Sequence, residues 1–208
     1  MIASKIDFKK TEKDLYFPSS KQVSILTVPK MKFLIIDGMG SPGDSQEYQD
    51  AMSVLYPVAF KTKFLSKDDG KDYVVPPLEG LWWADDMNDF TEGNRDKWRW
   101  TLMIRQPDWI SKELIQQAVE ITETKKPELK DLLPELRFED FEEGKCAQIM
   151  HIGPFSEEAP TIEKLHKFIK KEGGTFDGHD HKHHEIYLSD VRRAKPEKWK
   201  TVIRQPFK

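Results

Sequence analysis

The chain carries one short string twice. Ile104-Arg105-Gln106-Pro107 returns as Ile203-Arg204-Gln205-Pro206, and each copy closes a run that reads strand, Gly/Pro turn, helix, strand, strand. Four letters alone decide little, but the same order of elements ahead of both points to an internal duplication. A single β-α-β-β unit is too small to bury its sheet. Two such units are therefore expected to pair about a pseudo-twofold axis as one α+β, antiparallel-sheet domain with a central ligand cleft. The expected organisation is an arm at 1–22, a first unit at 23–107, a helical connection at 108–144 and a second unit at 145–208.

Within the first unit, Val23 to Val28 reads as a short strand and Phe33-Leu34-Ile35-Ile36-Asp37 as a buried one. The glycines from Gly38 to Gly43 lack the spacing of a phosphate cradle and read as a turn, with Asp44 or Ser45 capping the next helix. That helix, Gln46 to Phe64, shows Ala51, Met52, Leu55, Val58, Ala59 and Phe60 at helical spacing, with a break or kink expected at Pro57. After the polar turn comes Leu78-Glu79-Gly80-Leu81-Trp82-Trp83-Ala84-Asp85, extended and preceded by two prolines. Asp86 to Arg95 reads as a polar loop. Trp98, Trp100, Leu102 and Ile104 then alternate along a strand. Ser111 opens a helix bearing Leu114, Ile115, Ala118 and Val119, and 129–136 reads as a second helical piece broken by Pro134. Phe138 and Phe141 lead into a turn.

The second unit has a strand at Cys146 to His151 and a helix from about Glu157 to Lys171, stopped by Gly173-Gly174. Its third element, His183-His184-Glu185-Ile186-Tyr187-Leu188-Ser189-Asp190, matters most. Period two sends Glu185, Tyr187 and Ser189 to one face and His184, Ile186 and Leu188 to the other. The first set suits a pocket lining, and the second suits the underside of a covering helix. Aligning the units at Asp85 and Asp190 places Trp82 opposite Tyr187 and Gly80 at the position of Glu185, which leaves one acid in the cleft. Trp83 then points to the helix side, toward core packing, and Glu79 ranks as a second acid if the prolines disturb the alternation.

These residues resemble the GyrI-like small-molecule-binding fold, which also forms effector domains of multidrug-responsive regulators. The segments Pro77-Leu78-Glu79-Gly80-Leu81-Trp82-Trp83, His151-Ile152-Gly153-Pro154 and His184 to Arg193 are similar to the stand-alone branch that includes cyclopropanoid cyclopropyl hydrolases. The resemblance spans residues 14 to 206. It departs at Val191, where that pattern has proline, and in the His-Asp-His insert. It implies an aromatic cage over a buried glutamate, binding a flat, hydrophobic, often cationic molecule. Glu185 and Tyr187 would be catalytic, and Trp82, Trp83, Glu79, Trp100, Trp98, Tyr56 and Phe155 ligand-binding.

Chemically, a carboxylate removed from water shifts upward in pKa, awaits a cation or pairs internally. Arg99, Arg105 and Arg204 are the internal partners to weigh for Glu185. As a base it would take a proton from water attacking a cyclopropane carbon, with Tyr187 donating a hydrogen bond as charge builds. The alternatives are a sequestering module without catalysis, or a protein partner acting through its surface on DNA gyrase. No cofactor is expected. His179, His181, His183 and His184 sit in a Gly-flanked run without a ligand set at defined spacing, and they read as a loop and not as a metal site.

A formal charge of −3 gives no basic field for nucleic acid. No apolar run approaches the roughly 18 residues a membrane span needs. The single cysteine, Cys146, and the polar N-terminus favour a cytoplasmic setting.

Overall fold

The computed structural model describes residues 5–43 and 45–208. Its centre is one eight-stranded sheet in which every pairing is antiparallel. The first unit is β2 (Met31–Met39), α3 (Gln46–Asp68), β3 (Leu78–Ala84) and β4 (Trp98–Gln106). The second is β6 (Gly144–Ile152), α6 (Ala159–Lys171), β7 (His183–Tyr187) and β8 (Lys200–Pro206). With β1 at Ser24–Val28 and β5 at Arg137–Phe141, the strand order is β1-β6-β8-β7-β3-β4-β2-β5. The order is a palindrome of the two units about the β7–β3 seam, as the duplication requires.

The outer strands are exchanged. β1 precedes β2 in the chain but pairs with β6, while β5 precedes β6 but pairs with β2. Each unit thus lends its leading strand to the other, so β1 is not part of the first unit's own sheet. β5 replaces the turn expected around Phe138 and Phe141. Three of its five residues, Arg137, Glu139 and Asp140, are charged. Phe138 packs on one side of the sheet and Phe141 on the other, so no alternation announces the strand.

One face carries the long helices. α3 and α5 (Lys112–Lys125) cover Leu34, Ile36, Trp82, Trp100, Leu102 and Ile104, and α6 covers Ala147, Ile149 and Ile203. Ser45 caps α3 by accepting from the Tyr48 amide at 3.2 Å, whereas Asp44 lies outside the described residues. α3 runs unbroken through Pro57 for 23 residues, and Phe60, expected on its core side, is 48% exposed and stacked on Tyr56 instead. The piece expected at 129–136 is a single 3-10 turn at Leu133–Glu135, preceded by another at Pro127–Leu129, and the loop after β3 contains a short helix, α4 (Asn88–Glu92).

The opposite face is sealed by the N-terminal arm. Its two single-turn helices, α1 (Phe8–Thr11) and α2 (Lys13–Tyr16), bury Phe8 and Tyr16 against Met150, Ile186 and Val202. The Ile186 side of β7 is therefore covered by this arm and not by a repeat helix. The arm is integral to the fold: Glu12 pairs with Arg105, and Leu15 O accepts from Arg204 at 2.8 Å. No helix among the described residues is long and apolar enough to cross a membrane.

Candidate functional site

At the seam, Gly80 pairs with Glu185 and Trp82 with His183, so His183, Glu185, Tyr187 and Trp82 share the face toward α3 and α6. β7 lies in the middle of the sheet, where side chains are normally closed off, yet Glu185 keeps 15% of its side-chain surface open. That opening lies at the seam between the two units. Gly80 makes room for its floor. A Cβ there would stand 2.9 Å from Trp82 Nε1 and 3.1 Å from the Tyr187 hydroxyl.

The floor is one hydrogen-bonded chain. Trp82 Nε1 donates to the Tyr187 oxygen at 3.0 Å, and the Tyr187 hydroxyl donates to Glu185 Oε2 at 2.7 Å. His183 Nε2 lies 3.1 Å from Glu185 Oε1. None of the three arginines weighed for Glu185 reaches it: Arg99 pairs with Asp85, Arg105 with Glu12 and Arg204 with Glu143.

A second acid completes the floor. Glu158, the residue flanking the start of α6, is 5% exposed and lies against the Thr201 hydroxyl and the Glu185 carboxylate. Burial, and then the charge of Glu185, push its pKa up to about 9. Burial also pushes Glu185 upward, but the hydrogen bond and charge of His183, with hydrogen bonds from Tyr187 and Glu158, hold it below the usual carboxylate range. Burial and mutual charge thus favour a single shared proton on this carboxyl pair, raising Glu158 relative to Glu185. This corrects the expectation of a solitary acid; of the outcomes weighed for Glu185, an upward shift, a waiting cation or an internal pair, it takes an internal partner, His183 in place of an arginine. Glu158 was not legible, because a glutamate at a helix start reads as an ordinary complement to the helix dipole. Burial drives the Tyr187 phenol well above its ordinary value, the Glu185 charge adding to it, and moves Tyr48 up to about 12 for the same two reasons.

Aromatic rings wall the cleft. From α3, Tyr48 stacks on Trp82 at 6.4 Å, and Tyr56 stands further along the same helix. From the second unit, Phe155 meets Tyr187 edge-on at 5.7 Å and Trp199 at 5.1 Å, and at 41% exposed it forms the rim. Trp98 forms an outer row, 6.3 Å from Trp82 and stacked on Phe90. Tyr48 and Trp199 are additions that the sequence did not single out, since each stands alone within its own segment.

Three candidates lie elsewhere. Trp100 is on the same face but fully buried, its ring closing over Gly38, so it is core. Trp83 faces the arm side and not the helix side expected of it, because the far face of the sheet is covered by the N-terminal arm, and the Lys182 ammonium lies 4.0 Å above its ring. Glu79 also faces that side, because β3 keeps strict alternation after Pro77. It ion-pairs with His184 Nε2 at 3.1 Å inside a buried network. There His184 Nδ1 meets Glu143 at 2.9 Å, and Arg204 donates to Glu143 at 3.0 Å and to Gln148 at 3.1 Å. Burial alone would lower the His184 pKa, but Glu143 and Glu79 raise it to about 9. Burial likewise opposes ionisation of Glu143, which His184 and Arg204 nevertheless hold at about 2.

The histidines of the run go to separate partners: His181 to Asp177, His183 to Glu185 and His184 to its two glutamates. The described residues hold no group of three or more His, Cys, Asp or Glu placed for a metal ion. Cys146 is buried, and burial pushes its thiol up, away from the reactive thiolate.

A duplicated α+β sheet that carries a carboxyl pair among aromatic rings at its seam has the make-up of a small-molecule receptor. The sequence matches the GyrI-like small-molecule-binding domain over residues 21–208, and the chain belongs to that family. Among solved structures it is similar to an uncharacterized conserved protein from Listeria innocua, at 44% identity and a TM-score of 0.87, covering 98% of this chain and 100% of that one. It is equally similar in sequence to a protein described as a hydrolase from Listeria innocua, at 44% identity, a TM-score of 0.83 and the same coverage. The EcmrR C-terminal domain, 11% identical over 90% of this chain and 97% of that one with a TM-score of 0.54, shares the fold. Comparison with curated proteins gave no match.

Proposed function

We propose that the protein is a hydrolase that adds water across the strained cyclopropane of flat, hydrophobic DNA-alkylating molecules, protecting the cell that contains it. The observation that carries this reading is Glu185, 15% open at the seam among aromatic rings, with Tyr187 donating to one of its oxygens and His183 beside the other. The similarity to a protein described as a hydrolase supports it. A planar ligand stacks between Tyr48 and Trp82 on one side and Phe155 and Trp199 on the other, and a cationic group gains further from the ring faces.

Glu185 then accepts a proton from water as the water oxygen attacks the ring carbon. General base help of this kind supplies about 10²–10⁴-fold, which suits an already strained bond. Tyr187 acts by position: its proton is engaged by Glu185 Oε2, and its oxygen takes the Trp82 N–H, so it aims the carboxylate.

The test is to incubate the protein with a cyclopropyl-indole alkylator and follow product mass. A water adduct that is lost on Glu185→Gln supports the reading. Recovery of unchanged ligand, bound but intact, shows a sequestering module instead.

A further inference from the structure

Duplication should build two equivalent sites, and it built one. The helix-starting position is Ser45 in the first unit and Glu158 in the second, and the seam-strand position is Gly80 in the first and Glu185 in the second. Only the second unit has acids at both positions, and they touch. Glu158 makes no side-chain cap to its own helix and no ion pair, and its Oε1 is buried with no hydrogen-bond partner as an acceptor. A closed-in carboxyl without a cation is stable only as a neutral acid that donates its proton, and the acceptor at hand is Glu185.

We propose that Glu158 is the proton donor of the reaction, delivering its proton to the substrate oxygen that receives the electron pair when the ring opens. This rests on the hydrolase reading above and names the acid that reading lacks. The groups facing Glu158 are few. They are Glu185 and Tyr187 on β7 and Thr201 on β8, with His183 on the far oxygen of Glu185 and Tyr48 facing the pair from α3. Tyr187 is a poor donor, because burial drives its phenol well above its ordinary value.

The step balances. The water oxygen forms a bond to the cyclopropane methylene carbon while a ring C–C bond breaks, its electron pair moving through the conjugated system to the carbonyl oxygen. Glu185 takes one proton from the water and Glu158 gives one to that oxygen. Transfer of a proton from Glu185 back to Glu158, across the bond they share, restores the starting state with one water consumed. Neither bulk acid nor bulk base is needed.

The experiment compares wild type, Glu158→Gln and Glu185→Gln on a cyclopropyl-indole alkylator whose ring system carries substituents of graded electron demand. The Glu158→Gln change keeps the side chain's size and an N–H toward Glu185, and denaturant midpoints verify that the variant folds. For Glu158→Gln, kcat is expected to fall about a hundredfold at nearly constant KM. The alkaline fall of wild-type kcat, centred near pH 9, disappears in that variant. Electron-withdrawing substituents restore its rate, because a stabilised oxyanion needs no acid, and a merely structural role would not produce that rescue.

Wild-type kcat, an unchanged alkaline limb or an unchanged substituent dependence in Glu158→Gln overturns the proposal. If Glu185→Gln is then inactive, the hydrolase reading stands without it. No turnover by the wild-type protein refutes both.

Discussion

Replacing Glu158 by glutamine should change how stability depends on pH, by an amount fixed by proton counting. An unfolded glutamate titrates near 4.5, and the folded Glu158 near 9. Between these values the folded protein holds one proton that the unfolded chain has released. A raised carboxyl therefore contributes stability that is full below the unfolded value and drains away as pH rises toward the folded one. The slope is about 1.4 kcal/mol per pH unit for one proton, so about 3 kcal/mol is lost between about pH 6 and about pH 8.

Glutamine has no proton to lose. His184, raised to about 9, also loses stability as pH rises, but it does so in both proteins and cancels in the difference. Urea titrations at the two pH values should show Glu158→Gln gaining about 3 kcal/mol on wild type between them. The number depends only on both pKa values lying outside the window. Parallel pH dependences would refute the shared-proton pair and, with it, the neutral acid on the cleft floor.

Gly80→Ala forces a Cβ to within 2.9 Å of Trp82 Nε1 and 3.1 Å of the Tyr187 hydroxyl. It should cost about 1–3 kcal/mol in a denaturant titration. Turnover should suffer more than stability, because Tyr187 is pushed off Glu185. Glu143→Gln leaves Arg204 and His184 buried with one carboxylate fewer, a loss of about 3–5 kcal/mol by the same titration. Trp82→Ala should weaken binding of a planar aromatic cation about tenfold, by fluorescence titration, whereas Trp83→Ala on the other face should leave it unchanged. Equal effects of the two would place the cleft wrongly. On the acid side, Glu143 and Glu185 both sit below ordinary values. Their stability is present above the unfolded value near 4.5 and lost as pH falls through the folded ones, which an acid titration followed by circular dichroism would record.

Much of this site was readable along the chain because its parts obey period two. The alternation of β7 placed Glu185 with Tyr187. The offset between the units placed Trp82 against Tyr187, and the 3.0 Å bond spans 105 positions. The same rule, applied strictly to β3, excludes Glu79 and Trp83. Glu79 was a candidate on the expectation that Pro76 and Pro77 disturb the strand, which in fact starts afresh at Leu78, and Trp83 through the family resemblance alone.

Local patterning determined the duplication, the antiparallel α+β class and the one acidic strand, because periodicity and turn residues act over a few neighbouring positions. Tertiary structure alone decided the exchange of β1 and β5, the sealing of the far face by the arm and the meeting of Glu158 with Glu185. Those depend on which surfaces come together, and the ionisation of a carboxyl is set by the water and charges around it, which no string of neighbours records.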